Sequence, residues 1–332
     1  MAGLCLFGCA SDPESSSPSQ TTQTAASVQD TKAVSANESS EAESAINSTA
    51  QETKTPNSGV TVSVGSLKGP TSMGLVSLMQ NNEAGNAGNQ YEFQMVTAAD
   101  ELSALVAGEK VDIALVPANL AAILYEKTEH AVSVIDINTL GVLYVVTGDS
   151  SVTSISDLNG KTIYLTGKGT TPDYALQYVL EGNGLSDGDV TLEYKSESAE
   201  IAAILKEQPD AVGLLPQPFA TVACAQNEAL SPVLDLTEEW DKLQADDNGS
   251  RLVTGVTIVR NAFLEEYPDA VSTFMDEHEA SSQYTNEHPE EAAALIADLG
   301  IVEQAAVAQK AIPACNITYI DGQEMRDALS GY

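Results

Sequence analysis

From residue 60 onward the chain alternates short β-branched runs with segments of helical period, and no other feature constrains its fold so strongly. Residues 60–64, 91–96 and 111–116 read as strands, with helices expected at 71–79, at 98–108 and after Pro117, which suits the N1 position of a helix or its neighbour. A second set follows: strands at 162–165, 190–194 and 211–215, and helices at 173–180, at 198–206 and after Pro216-Gln217-Pro218. Strands that alternate with helices of about 10–15 residues imply right-handed βαβ units and a mainly parallel sheet. A piece at 233–236 and a short acidic helix lead to a strand at 252–259; the rest is mostly helical, at 268–287, 290–298, 303–311 and from Gln323, with a short extended piece at 316–320. The apolar stretches near 141–148 and 252–259 read as two extended hinge crossings. The expected architecture is α/β with two lobes, each a mainly parallel sheet flanked by helices. Lobe one takes residues 59–145 plus 255–332, and lobe two takes 146–254. Ligands of such sheets sit at the C-terminal ends of the strands, which places the site in the cleft between the lobes.

Two loops stand at those strand ends. Ser66-Leu67-Lys68-Gly69-Pro70-Thr71-Ser72-Met73-Gly74 and Thr166-Gly167-Lys168-Gly169-Thr170-Thr171-Pro172-Asp173 each follow a β-branched run, hold a lysine beside glycine, and open a helix. A Gly-rich turn entering a helix presents free backbone N–H groups and a positive dipole end, which suits an anion or a polar head. Either loop alone also fits an ordinary βα turn. Their pairing matters because the chain has only 14 basic residues against 48 acidic ones, a formal charge of −34. That balance excludes nucleic acid as a partner, because phosphate backbones are held by basic patches. It also speaks against charge-driven docking on anionic lipid, and it accounts for solubility.

The four cysteines, Cys5, Cys9, Cys224 and Cys315, form no CxxC pair, and with His130, His278 and His288 they offer no zinc spacing. Cys224 and Cys315 belong to different lobes and are expected to stay unpaired. Neither Gly-rich loop has the Walker A pattern, no Gly-x-Ser-x-Gly elbow occurs, and no cofactor is expected. At the N-terminus, Leu6-Phe7-Gly8-Cys9-Ala10 resembles a bacterial lipobox, with eight residues ahead of Cys9 in place of a full-length signal. Residues 10–58 are rich in Ser, Thr, Ala, Gln and Glu without an apolar period, the composition of a disordered tether that is dispensable for folding.

Together, the lipobox-like start, the two loops and the connector Ile155-Ser156-Asp157-Leu158-Asn159-Gly160-Lys161 resemble ABC-transporter substrate-binding lipoproteins, above all the nitrate-, sulfonate- and thiamine-precursor-binding group. The resemblance covers residues 60–332 and implies the two-lobed periplasmic-binding-protein-like fold. It implies a receptor that binds a small organic or anionic solute and hands it to a membrane permease. It further implies a monomer outside the cytoplasm, lipid-anchored through Cys9, in a Gram-positive bacterium. Carried onto this sequence, the ligand-binding set would be Lys68, Gly69, Pro70, Thr71, Ser72 and Met73, with Pro117, Ala118 and Asn119. Thr139, Leu140 and Gly141 would lie near the hinge, and lobe two would add Lys168, Gly169, Thr170, Thr171, Pro216, Gln217 and Pro218.

The same resemblance contains a pyrimidine (thiamine-precursor) synthase on this fold, the enzyme alternative. It relies on clustered cysteines and a histidine, which this sequence lacks. Lys68 and Lys168 have two readings, as contacts to an anionic solute or as ion pairs across the closed lobes. A heteroaromatic solute remains a further option, with Tyr144, Tyr174 and Phe219 the rings nearest the loops.

Overall fold

The computed structural model describes residues 60–186, 188–244 and 250–332. The expectations for residues 1–59, including Cys9 and the tether, lie outside them. In chain order the strands begin with β1 (Thr61–Leu67), β2 (Gln90–Val96), β3 (Ile113–Pro117), β4 (Val132–Leu140) and β5 (Leu143–Thr147). They continue with β6 (Thr162–Leu165), β7 (Thr191–Tyr194), β8 (Val212–Pro216), β9 (Ser231–Asp235), β10 (Val253–Arg260) and β11 (Ile317–Ile320). The helices are α1 (Pro70–Met73), α2 (Val76–Glu83), α3 (Ala99–Ala107), α4 (Ala118–Lys127), α5 (Thr171–Gly182), α6 (Ser198–Glu207) and α7 (Phe219–Gln226). After them come α8 (Leu236–Leu243), α9 (Asn261–Glu266), α10 (Pro268–Glu287), α11 (Pro289–Asp298), α12 (Ala305–Ala311) and α13 (Gly322–Gly331). None of the described helices is long and apolar enough to cross a membrane.

The strands form two sheets, one ordered β11-β4-β10-β3-β1-β2 and the other β7-β6-β8-β5-β9. Parallel pairing joins β2, β1 and β3 in the first and β7, β6 and β8 in the second, as the βαβ pattern requires. The mainly parallel expectation needs correcting beyond those six strands, because β10, β4 and β11 pair antiparallel in the first sheet and β5 and β9 do so in the second. Of these, β4, β5 and β10 carry the chain between the sheets, β11 returns from the C-terminal helices, and β9 is the edge strand beside β5.

Helices cover both faces of each sheet. Val62, Val64, Ile113 and Leu115 pack with α2 and α10 on one face of the first sheet, while Ala114, Val116, Val256 and Ile258 pack with α3, α4 and α13 on the other. In the second, Ile163, Leu165, Val212 and Leu214 meet α5 and α8, and Tyr144, Val146 and Leu215 meet α6 and α7. The central strands are therefore apolar on both sides, as in sheets covered twice.

Two local expectations change, while Pro117 stands next to the N1 position of α4 as expected. The helix foreseen at 71–79 is two helices, α1 and α2, separated at Gly74-Leu75, where a Cβ on Gly74 would come within 2.8 Å of Ser282 Oγ. The runs at 141–148 and 252–259 are mostly strands within sheets, since their apolar side chains are buried there; the first change of sheet takes only Gly141 and Val142. β5 pairs in the second sheet from Leu143 and β10 in the first from Val253. Gly141 lies against Leu252 and Thr237, so the two crossings run side by side.

Candidate functional site

β1, β3, β6 and β8 each deliver the chain from a buried strand end into a helix, and these four turns hold most of the expected site residues. The N-cap residues of the helices that follow, α1, α4, α5 and α7, place no side-chain cap, but in α7 the N–H of Thr221 donates to Gln217 Oε1 (3.3 Å). The first-turn N–H groups of α4 and α5 are thus not spent on a cap side chain.

After β1, Lys68 is exposed and its backbone N–H donates to Val96 O (2.8 Å). Its Nζ lies beside Gly300, just past the end of α11, where a cation meets partly negative carbonyls. Gly69 has φ 149° and ψ −158°, a conformation open essentially to glycine alone, and its missing side chain faces open space. Pro70 starts α1 and is half-buried. Thr71 and Ser72 are buried and both donate their hydroxyls to Leu67 O, at 3.1 and 2.6 Å. Met73 is a core residue, wholly buried against Ala292, Ile296, Ile312 and Cys315. All three side chains are deeply buried.

Pro117 and Ala118 are half-buried and Asn119 is exposed. Ala118 and Asn119 line a groove of about 870 Å³ between α4 and α13 that also includes Tyr332. Thr139 is buried and donates to Asn138 Oδ1 (2.9 Å); with Thr71 it closes around Gly255, where any Cβ would collide with Asn138. Leu140 N–H donates to Asn316 O, and Gly141 O accepts from Asn316 Nδ2.

In the second sheet's turn, Gly167 and Gly169 take left-handed φ values of 75° and 72°. Lys168, Gly169 and Thr170 are exposed, and Thr170 Oγ1 donates to Gly167 O (2.6 Å). Thr171 opens α5, and its Oγ1 lies 3.5 Å from Tyr332 Oη. Lys168 Nζ stands over the ring of Tyr194, 5.1 Å from its centroid. Pro216 and Pro218 are half-buried around buried Gln217, whose N–H donates to Val142 O (2.9 Å) and whose Oε1 accepts from Thr221 Oγ1 (2.8 Å). The Gln217-Pro218 bond is cis.

Lys68 thus stands beside the end of α11, and Lys168 over the ring of Tyr194. Of the three rings, Tyr144 is buried with its hydroxyl donated to Ala314 O, whereas Tyr174 and Phe219 are exposed. Sequence reasoning gave Asp173, the last residue of the second Gly-rich loop, no role, and missed Tyr194 and Tyr332 as parts of this region. The first had a signal, an acid at the third helical position after a hydroxyl residue; Tyr332 had none. Cys224 and Cys315 are both free thiols, and burial pushes Cys315 up to about 12. Among the described residues no three His, Cys, Asp or Glu groups are placed to hold a metal ion.

The family model described as "NMT1/THI5 like" matches residues 88–292, more than half of the chain. The chain belongs to the NMT1/THI5-like family. Solved structures extend the likeness to both sheets. An ABC transporter protein of Parabacteroides distasonis shares 25% identity, covering 82% of this chain and 90% of that one at a TM-score of 0.67. The periplasmic aliphatic sulphonate binding protein SsuA of Escherichia coli shares 14%, covering 80% and 88% at 0.63. A Candida albicans protein with the generic periplasmic binding protein fold shares 19%, covering 78% and 82% at 0.51. No curated protein matches the chain by sequence. This NMT1/THI5-like chain thus has the periplasmic-binding-protein fold.

Proposed function

We propose that the protein is an extracytoplasmic receptor that binds a small organic or anionic solute between its two lobes and delivers it to an ABC-transporter permease. The observation that carries this reading is the set of four strand-to-helix turns, two from each sheet, of which those after β1, β3 and β6 enter helices without side-chain caps. Backbone donors at such turns suit the polar head of a solute, and the two short crossings allow the lobes to hinge. The likeness to an ABC transporter protein of Parabacteroides and to a periplasmic sulphonate binding protein of Escherichia supports it. Cys9 is the proposed lipidation site that holds a monomeric receptor at the outer face of the membrane, and Cys9→Ala should abolish labelling by a fatty-acid precursor.

The test is mass spectrometry of the solute released when protein purified from its own cells is denatured, followed by rebinding to the stripped protein. The single tryptophan, Trp240, reports the rebinding, because its ring lies 4.2 Å from Tyr178 and 5.7 Å from Tyr332 on the other lobe. One released compound that changes Trp240 emission and stimulates ATP hydrolysis by a permease in vesicles is the expected result. A released compound that the protein converts chemically would support the synthase reading of the family name instead.

A further inference from the structure

What the cleft lysines already touch sets the charge of an acceptable solute. Asp173, at the third position of α5, is 4% exposed and accepts from Gly169 N–H (2.7 Å), Tyr194 Oη (2.8 Å) and Gln177 Nε2 (2.5 Å). Burial alone would raise its carboxyl; the hydrogen bonds and the charge of Lys168 outweigh that and hold it below the usual carboxylate range. Burial, and then the bond to Asp173, push Tyr194 up to about 12, so its hydroxyl stays a donor. A negative charge therefore sits in the first turn of α5, bonded to the tyrosine over which Lys168 stands. On the facing wall, Lys68 lies beside the carbonyl end of α11 at Gly300. Both cationic features are offset within their own lobes. The lobe-two turn instead presents exposed Thr170 and the ring of Tyr174, 63% exposed, in front of the uncapped α5. An anion arriving there would face Asp173, a like charge.

We propose that Asp173 is a specificity-determining residue that, by neutralising Lys168 and the start of α5 from within, restricts the cleft to electrically neutral, hydrogen-bonding solutes. The proposal rests on the receptor reading and narrows it.

The experiment compares the melting temperature of the full chain and of Asp173→Asn in ethanesulfonate, nitrate and chloride at equal ionic strength. The wild type should respond to ethanesulfonate and nitrate no more than to chloride. In Asp173→Asn the amide oxygen still accepts a hydrogen bond, but Lys168 and the helix end lose their counter-charge. Ethanesulfonate should then raise the melting temperature by about 3 °C, the size expected at about ten times Kd. Specific anion stabilisation of the wild type, or no gain in a folded variant, overturns the proposal. If the variant does not fold, the solute released from the wild type decides: neutral at pH 7 supports the proposal, anionic overturns it while leaving the receptor reading intact. Failure of that reading has a different signature. No solute is released and no charged or neutral compound alters Trp240 emission, in which case both fall.

Discussion

A carboxylate buried at the start of a helix leaves a pH signature. Asp173 has a folded pKa below its ordinary value of about 3.9. Its contribution is present above that value and lost as the pH falls through the lower, folded one. Melting temperature measured between about pH 5 and pH 2 should show an acid loss that is smaller in Asp173→Asn. At the alkaline end the sign reverses for Tyr194. Raised to about 12, it supports the fold below the ordinary tyrosine range and loses that support as the pH rises through 12. Met73 makes a different point at the same scale. Its side chain fills the space among α11, α12 and the last strand, so Met73→Ala should cost about 2–5 kcal/mol in urea unfolding. A cost below 1 kcal/mol, about one removed methylene, would place it nearer the surface than the structure does.

Among the elements, β4 and β10 carry the most unusual pairing. Asp136 and His278 are fully buried and meet at 3.3 Å, Thr257 donates to Asp136 (2.7 Å), and Asn138 donates to Thr257 (3.1 Å). Asp136→Ala would orphan several of these groups at once, and a loss of about 2–4 kcal/mol is expected from chemical denaturation. The same network explains why β4 escaped sequence reasoning. Ser133, Asp136, Asn138 and Thr139 interrupt its apolar pattern, and nothing local announces that β10 and α10 will satisfy them. By contrast β3 and β8 are β-branched or leucine-rich and buried along nearly their whole length, so their strand character was legible.

Across the whole molecule, contacts between the lobes flank the crossings. Tyr144 donates to Ala314 O (2.9 Å), Asn316 to Gly141 O, and Tyr332 approaches Thr171 and Trp240. Tyr332→Ala removes an aromatic contact from one lobe to the other. It should change Trp240 emission in the unliganded protein and weaken binding of the released solute several-fold; unchanged emission would mean the ring does not bridge the lobes in solution. Gly141→Ala is the harsher change, because a Cβ there would overlap Thr237 Oγ1 and press on Leu252. A lower melting temperature, read by calorimetry, is the expected outcome.

The sequence by itself determined the alternation of strands and helices, the two sets of βαβ units and the positions of the Gly-rich turns. Periodicity, proline and glycine act over a few residues, so a linear reading captures them. The tertiary structure alone decided which strands return antiparallel, that Thr71, Ser72 and Met73 face inward, and that Lys168 stands over the ring of Tyr194. Those outcomes depend on groups far apart in the chain, such as Asp136 with His278, 142 residues away, and Tyr332 with Thr171, 161 away. Burial and charge are settled only when such segments meet.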